Sequence, residues 1–169
     1  MSKQETTDYR AYRSTFTKKA QQIVQKLSLE EKIYLMSGLR TMEEVRKSIQ
    51  KKVNTHYNEV PYRAGGIDGK VPPVLFADGT KGVVCDRKMY TCFPVESMRG
   101  ASFDPMLEKE IGEAIGAEEL LAGANLFGGV CVNLPYHPGW GRAQETFGED
   151  PYLLGEMGAA LVEGVQTTG

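Results

Sequence analysis

Twice in this chain a turn ends in Asp-Pro at the head of a long stretch with apolar residues at helical spacing. Asp104-Pro105 precedes Leu107, Ile111, Ala114, Ile115 and Leu121, and Asp150-Pro151 precedes Leu153, Leu154, Met157, Leu161 and Val165. Aspartate accepts the unpaired amides at a helix start, and proline's fixed φ and missing N–H suit the first helical position. The spacing predicts helices from Asp104 to about Gly123 and from Pro151 onward. Ahead of them, Val95–Ala101, led in by Cys92-Phe93-Pro94, and Leu126 to Leu134, interrupted by Gly128-Gly129, read as strands. Strands alternating with helices across short connections imply an α/β fold on a parallel sheet, open or closed into a barrel.

Upstream, Phe16, Ala20, Ile23, Val24 and Leu27 predict a helix over residues 14–27. Ser28-Leu29-Glu30-Glu31 has the form of a capping box opening a short helix that Gly38 stops. Thr41-Met42-Glu43-Glu44 repeats the device before a helix over 42–52, whose Arg46, Lys47, Lys51 and Lys52 read as a solvated face. From Asn54 to Pro73, Gly and Pro mark a long irregular connection. Its His56, Tyr57 and Tyr62 either line a pocket or pin the loop. Val74-Leu75-Phe76 then has the form of a buried strand running into Ala77-Asp78-Gly79.

Composition excludes several roles. The 20 basic and 22 acidic residues give a formal net charge of -2, which supplies no electrostatic case for nucleic acid or an anionic membrane as partner. No stretch approaches the roughly 20 apolar residues of a membrane span, and the polar opening MSKQETTDYRAYRSTF lacks a signal-peptide core, so a cytoplasmic location is expected. Cys85, Cys92 and Cys131 lack zinc-ligand spacing and read as buried or incidental thiols, and no metal or other cofactor is expected.

Chemistry concentrates in VNLPYHPGWGRAQETFGEDP, which follows a predicted strand, where ligands collect in parallel α/β folds. Arg142 presents a planar fork of donors and Glu145 two acceptor oxygens, a set able to grip a polyol. Trp140, the single tryptophan, offers either a stacking face for a sugar or a core side chain. Glu145 and Glu149 can be posed as an acid/base pair, yet nothing in the sequence fixes the roughly 5–9.5 Å separation glycoside hydrolysis needs. Glu149-Asp150 reads better as the entry to the helix at Pro151. Asp78 is either a carboxylate delivered by a strand or a turn residue suited to Asp-Gly geometry.

GRAQETFGEDPYLLGEMGAALVEGVQ resembles the signature of glycoside hydrolase family 3, the β-glucosidase-like enzymes. VPPVLFADGTKGV is similar to that family's strand ending in Asp-Gly, TCFPVESMRGASFDPMLEKEIGEAIGAE to its next βα unit, and LSLEEKIYLMSG to its N-terminal helix. The similarity runs from about Leu27, with four motifs in order. It implies the N-terminal part of a (β/α)₈ TIM-type barrel that hydrolyses β-linked glucosides, xylosides or similar small saccharides with retention. It also implies that Asp78, Arg142 and Glu145 hold hydroxyls of the sugar.

Thr80-Lys81 stands where the family commonly has Pro-Arg, which leaves the aspartate but loosens the turn after it. The family's Lys-His pair, nucleophile and acid/base carboxylate come later than Gly169, so no catalytic residue is assigned here. A barrel takes roughly 250 residues, so the expectation is a helical segment over 1–53 and an incomplete barrel of three or four βα units over 54–169. The chain alone is expected to be inactive, and its partner is the remainder of the enzyme, covalent or as a second chain. The alternative is a non-catalytic carbohydrate-binding or scaffold protein of the same fold.

Overall fold

A computed structural model of the protein describes residues 9–37, 43, 46, 47, 50, 62–85 and 88–168. They fall into two compact units, one of Met1–Leu39 with Ala64–Pro73, the other of Arg40–Arg63 with Val74–Gly169.

The first unit carries α1 (Tyr9–Ser14), α2 (Thr17–Gln25) and α3 (Leu29–Leu35). The helix predicted over 14–27 is therefore two elements, broken where the amides of Thr15 and Phe16 turn back to Tyr12 and Arg13. The Ser28 capping box forms as read. Glu31 N donates to Ser28 Oγ at 3.2 Å, and Ser28 N donates to Glu31 Oε2 at 2.8 Å. Glu31 also pairs with Lys70, on the turn bridged by Ile67 and Val71. Gly38, the second capping box, His56 and Tyr57 lie outside the described residues, and of the helix predicted over 42–52 only Glu43, Arg46, Lys47 and Gln50 are described, all helical.

The sheet has the order β1 (Tyr62–Ala64), β2 (Val74–Ala77), β3 (Leu126–Phe127). A strand thus interrupts the connection read as irregular from Asn54 to Pro73. β2 and β3 run parallel, with Phe76 opposite Leu126 and Ala77 opposite Phe127. β2 is less buried than its apolar run suggested. Val74 is exposed and only Ala77 is fully covered. β3 is shorter than the apolar run from Leu126 to Leu134, because pairing with β2 ends where Gly128-Gly129 begins.

The stretch Val95–Ala101 corrects the sequence reading. It is a helix, α4 (Glu96–Gly100), rather than a strand. The physical reason is charge. Residues three apart point to opposite faces of a strand but share one face of a helix, where Glu96 and Arg99 are buried side by side. Both Asp-Pro devices cap as predicted. Asp104 Oδ1 accepts from Met106 N and Leu107 N at 3.0 and 3.1 Å, opening α5 (Pro105–Ala122), which closes on left-handed Gly123. Asp150 Oδ1 accepts from Leu153 N at 2.8 Å, opening α6 (Pro151–Gln166).

The core lies where α5 packs on α6. Ile111 and Ile115 meet Leu154, Met157 and Leu161, and the cluster extends through Phe147 to Ala77, Val83, Cys85 and Ala124. Side chains such as Ile115, Met157 and Leu161 are removed from water entirely, and each contributes roughly 1.5–3 kcal/mol through that transfer.

Candidate functional site

Parallel pairing of β2 with β3 sends both strands into their following loops at the same end of the sheet. β2 delivers Asp78 immediately after Ala77, and the chain leaving β3 runs through a loop to Arg142 and Glu145. The two loops touch at the outset. Gly128 N donates to Ala77 O at 2.9 Å, and a Cβ on Gly129 would fall 2.1 Å from the Gly79 carbonyl, so only glycine lets the backbones approach this closely.

Asp78 sits in a tight turn. Its Oδ1 accepts from Gly79 N at 2.8 Å and its carbonyl accepts from Val84 N at 2.7 Å, which folds residues 79–83 back over the strand end. The side chain is half-buried. The carboxylate thus takes part in the turn at the end of β2, as Asp-Gly geometry favours.

Arg142 and Glu145 flank a 3-10 turn, Ala143–Glu145. Arg142 Nε and Nη2 donate to one oxygen, Glu145 Oε2, at 2.9 and 2.5 Å. The guanidinium is open to solvent and the carboxylate mostly covered, at 65% and 20% exposure. Among the described residues, Arg142 Nη1 and Glu145 Oε1 take no protein hydrogen bond. The hydrogen bond to Glu145 holds the Arg142 guanidinium above its usual pKa, with Cys131 and Asp78 adding to the same field.

The rest of the loop is less engaged. Trp140 is half-buried outside the core cluster, while Glu149 and Asp150 are exposed and the latter caps α6. Burial pushes the half-buried Cys131 thiol up, with Glu96 and Glu145 reinforcing the shift. Cys85 is buried and Cys92 exposed, and neither is in a disulfide. Among the described residues no group of three or more His, Cys, Asp and Glu could hold a metal, and no helix is long and apolar enough to cross a membrane.

Beneath these loops lies a charged cluster that the sequence reading missed. Glu96, Arg99 and Glu108 are 0%, 3% and 1% exposed. Arg99 Nη2 lies 3.3 Å from Glu96 Oε1, and Nη1 lies 3.0 Å from Glu108 Oε1. Burial pushes Glu96 up to about 8 against the pull of Arg99, and Glu108 up to about 7 in the same way. The one available signal was the i, i+3 spacing of Glu96 and Arg99, which carries meaning only once the stretch is known to be helical.

A small three-stranded sheet with a parallel pair of strands, each followed by helices, defines a mixed α/β fragment. The sequence matches the glycosyl hydrolase family 3 N-terminal domain over residues 12–169. The chain belongs to glycoside hydrolase family 3. It is 32% identical over 151 residues to beta-glucosidase B of Emericella nidulans, covering 87% of this chain and 16% of that enzyme. Among solved structures, the Bifidobacterium adolescentis family 3 beta-glucosidase superposes with a TM-score of 0.69 at 30% identity, over 85% of this chain and 18% of that one. Beta-glucosidase 3B of Thermotoga neapolitana, solved in complex with glucose, gives 0.70 at 27% identity, over 88% of this chain and 21% of that one. The chain thus spans about a sixth of the curated relatives it matches.

Proposed function

We propose that this chain is the sugar-holding part of a retaining β-glycosidase of the β-glucosidase type. Asp78, Arg142 and Glu145 bind hydroxyls of the terminal sugar of a β-linked glucoside, xyloside or similar small saccharide, while the remainder of the enzyme supplies nucleophile and acid/base. The small sheet is then the beginning of a (β/α)₈ barrel whose later strands come from that remainder.

The observation that carries this reading is the arrangement of the three side chains. A carboxylate at the end of β2 and an outward-facing Arg–Glu pair on the loop after β3 share one edge of a parallel sheet. Such a set matches vicinal hydroxyls, which donate to carboxylates and accept from a guanidinium fork. The family membership and the glucose complex of the Thermotoga relative support the same reading.

The test is complementation. The chain mixed with a polypeptide carrying the rest of a family 3 barrel should hydrolyse an aryl β-glucoside, and Asp78→Ala should abolish that turnover. Glucose binding without restored hydrolysis would instead support a non-catalytic carbohydrate-binding protein of this fold.

A further inference from the structure

Arg99 makes one well-aligned hydrogen bond, and it does not go to either carboxylate. The contacts with Glu96 and Glu108 lack hydrogen-bond alignment, whereas Nη2 donates to the carbonyl of Thr80 at 2.8 Å. Thr80 lies two residues beyond Asp78, in the turn that fixes that carboxylate. The guanidinium carbon, Cζ, meanwhile lies over the Phe147 ring, 5.6 Å from its centroid, and Phe147 stands two residues beyond Glu145. Phe147 is itself 1% exposed. The backbone there rests on α4, since a Cβ on Gly100 would fall 1.8 Å from the Phe147 carbonyl.

A buried arginine flanked by two buried carboxylates is an expensive way to fill space. Taking such charges out of water costs several kcal/mol per ion, and an apolar cluster of equal volume is commonly as stable. What the guanidinium provides, and a hydrocarbon cannot, is a rigid planar donor that reaches one loop by a hydrogen bond and another by stacking. Glu96 and Glu108 lie against its two terminal nitrogens, at 3.3 and 3.0 Å.

We infer that Arg99 is a positioning residue for the sugar site, fixing the Asp78 turn against the Arg142–Glu145 loop by donating to Thr80 O while its cation sits over the Phe147 ring. The inference rests on the reading of Asp78, Arg142 and Glu145 as sugar ligands. Lysine at this position keeps the positive charge between Glu96 and Glu108 but has no plane to lay on Phe147 and no fork to share between partners.

The experiment is an NMR titration of the full 169-residue chain with glucose, comparing Arg99→Lys, Asp78→Ala and a purely packing variant, Ile115→Val. Ile115 is wholly buried and belongs to the helix-packing core. Arg99→Lys should weaken glucose binding roughly tenfold, the loss expected when a well-placed hydrogen bond is misaligned. Ile115→Val should lower the melting temperature and leave affinity unchanged, which separates positioning from stability. Glucose affinity equal to the unmodified chain in a folded Arg99→Lys, with Asp78→Ala unable to bind, would overturn the positioning role and leave the sugar site standing. If Arg99→Lys does not fold, Phe147→Leu decides on the same terms, because it preserves an apolar side chain and removes the stacking face. Failure of the unmodified chain to bind glucose, or undiminished binding by Asp78→Ala, would remove the sugar site and the positioning role together.

Discussion

Arg142 places two of its nitrogens, Nε and Nη2, on a single oxygen of Glu145, at 2.9 and 2.5 Å. A fork spent on one oxygen leaves the other carboxylate oxygen and the remaining guanidinium nitrogen without a protein hydrogen bond among the described residues. The pair is solvent-exposed on the arginine side, so it adds little to the stability of the fold. Its chemistry faces outward.

Arg142→Ala should therefore separate binding from stability. The melting temperature should stay close to that of the unmodified chain, while turnover of an aryl β-glucoside by the complemented enzyme falls by roughly a hundredfold or more, as expected when a group fixing the substrate's orientation is lost. Parallel thermal melts and kcat/KM measurements check this. Near-normal kinetics would take the loop out of the site.

The buried cluster behaves in the opposite way. Arg99→Met leaves Glu96 and Glu108 without their shared cation and should cost about 3–5 kcal/mol of stability, the usual loss when one member of a buried ion pair is removed. Glu108→Gln should cost about 1 kcal/mol or less, because burial already biases that carboxyl toward its neutral form. Urea denaturation of the two variants compares them directly.

Gly100→Ala tests the seat of the Arg142 loop. The added methyl would meet a backbone carbonyl, that of Phe147, at 1.8 Å, and backbone cannot rotate out of the way. Displacing the strand of chain around Phe147 should cost roughly 1–3 kcal/mol, as overpacking commonly does. Urea midpoints measure the loss, and an unchanged midpoint would show that α4 and the loop are not held together here.

Glu119 predicts a pH dependence. It is 4% exposed beside a cavity of about 300 Å³ that Leu126, Val130 and Val165 also line, and its carboxylate oxygens have no hydrogen-bond partner. Burial pushes its pKa up to about 7 from the ordinary 4.5. The folded chain thus binds this proton more tightly than the unfolded chain does. The contribution to stability is fully present below about 4.5 and is lost as pH rises toward about 7. Glu96 and Glu108 act in the same direction. Melting temperatures taken across this range should fall with rising pH, and Glu119→Gln should flatten the slope without abolishing it. An unchanged slope in that variant would place the titration elsewhere.

The sequence by itself determined α3, α5 and α6 and where each of them starts. Ser28, Asp104 and Asp150 cap through hydrogen bonds spanning two or three residues, and Pro105 and Pro151 act through their own rings, so nothing distant has to be known. The strand leading to Asp78 was legible from its own short apolar run.

Only the tertiary structure decided α4 and what it carries. Val95–Ala101 reads as a strand from its apolar edges, and only the fold shows that Glu96 and Arg99 share one helical face against Glu108 of another helix. Arg99 meets Thr80 and Phe147 from opposite directions along the chain, at separations no periodicity encodes. Register belongs to the same category. That Ala77 stands opposite Phe127, which brings the Asp78 turn beside the loop leading to Arg142, is fixed by the pairing of β2 with β3 and by the close approach at Gly129. Local hydrogen bonds and fixed dihedrals write themselves into neighbouring residues, whereas a site assembled from three segments exists only when packing brings them together.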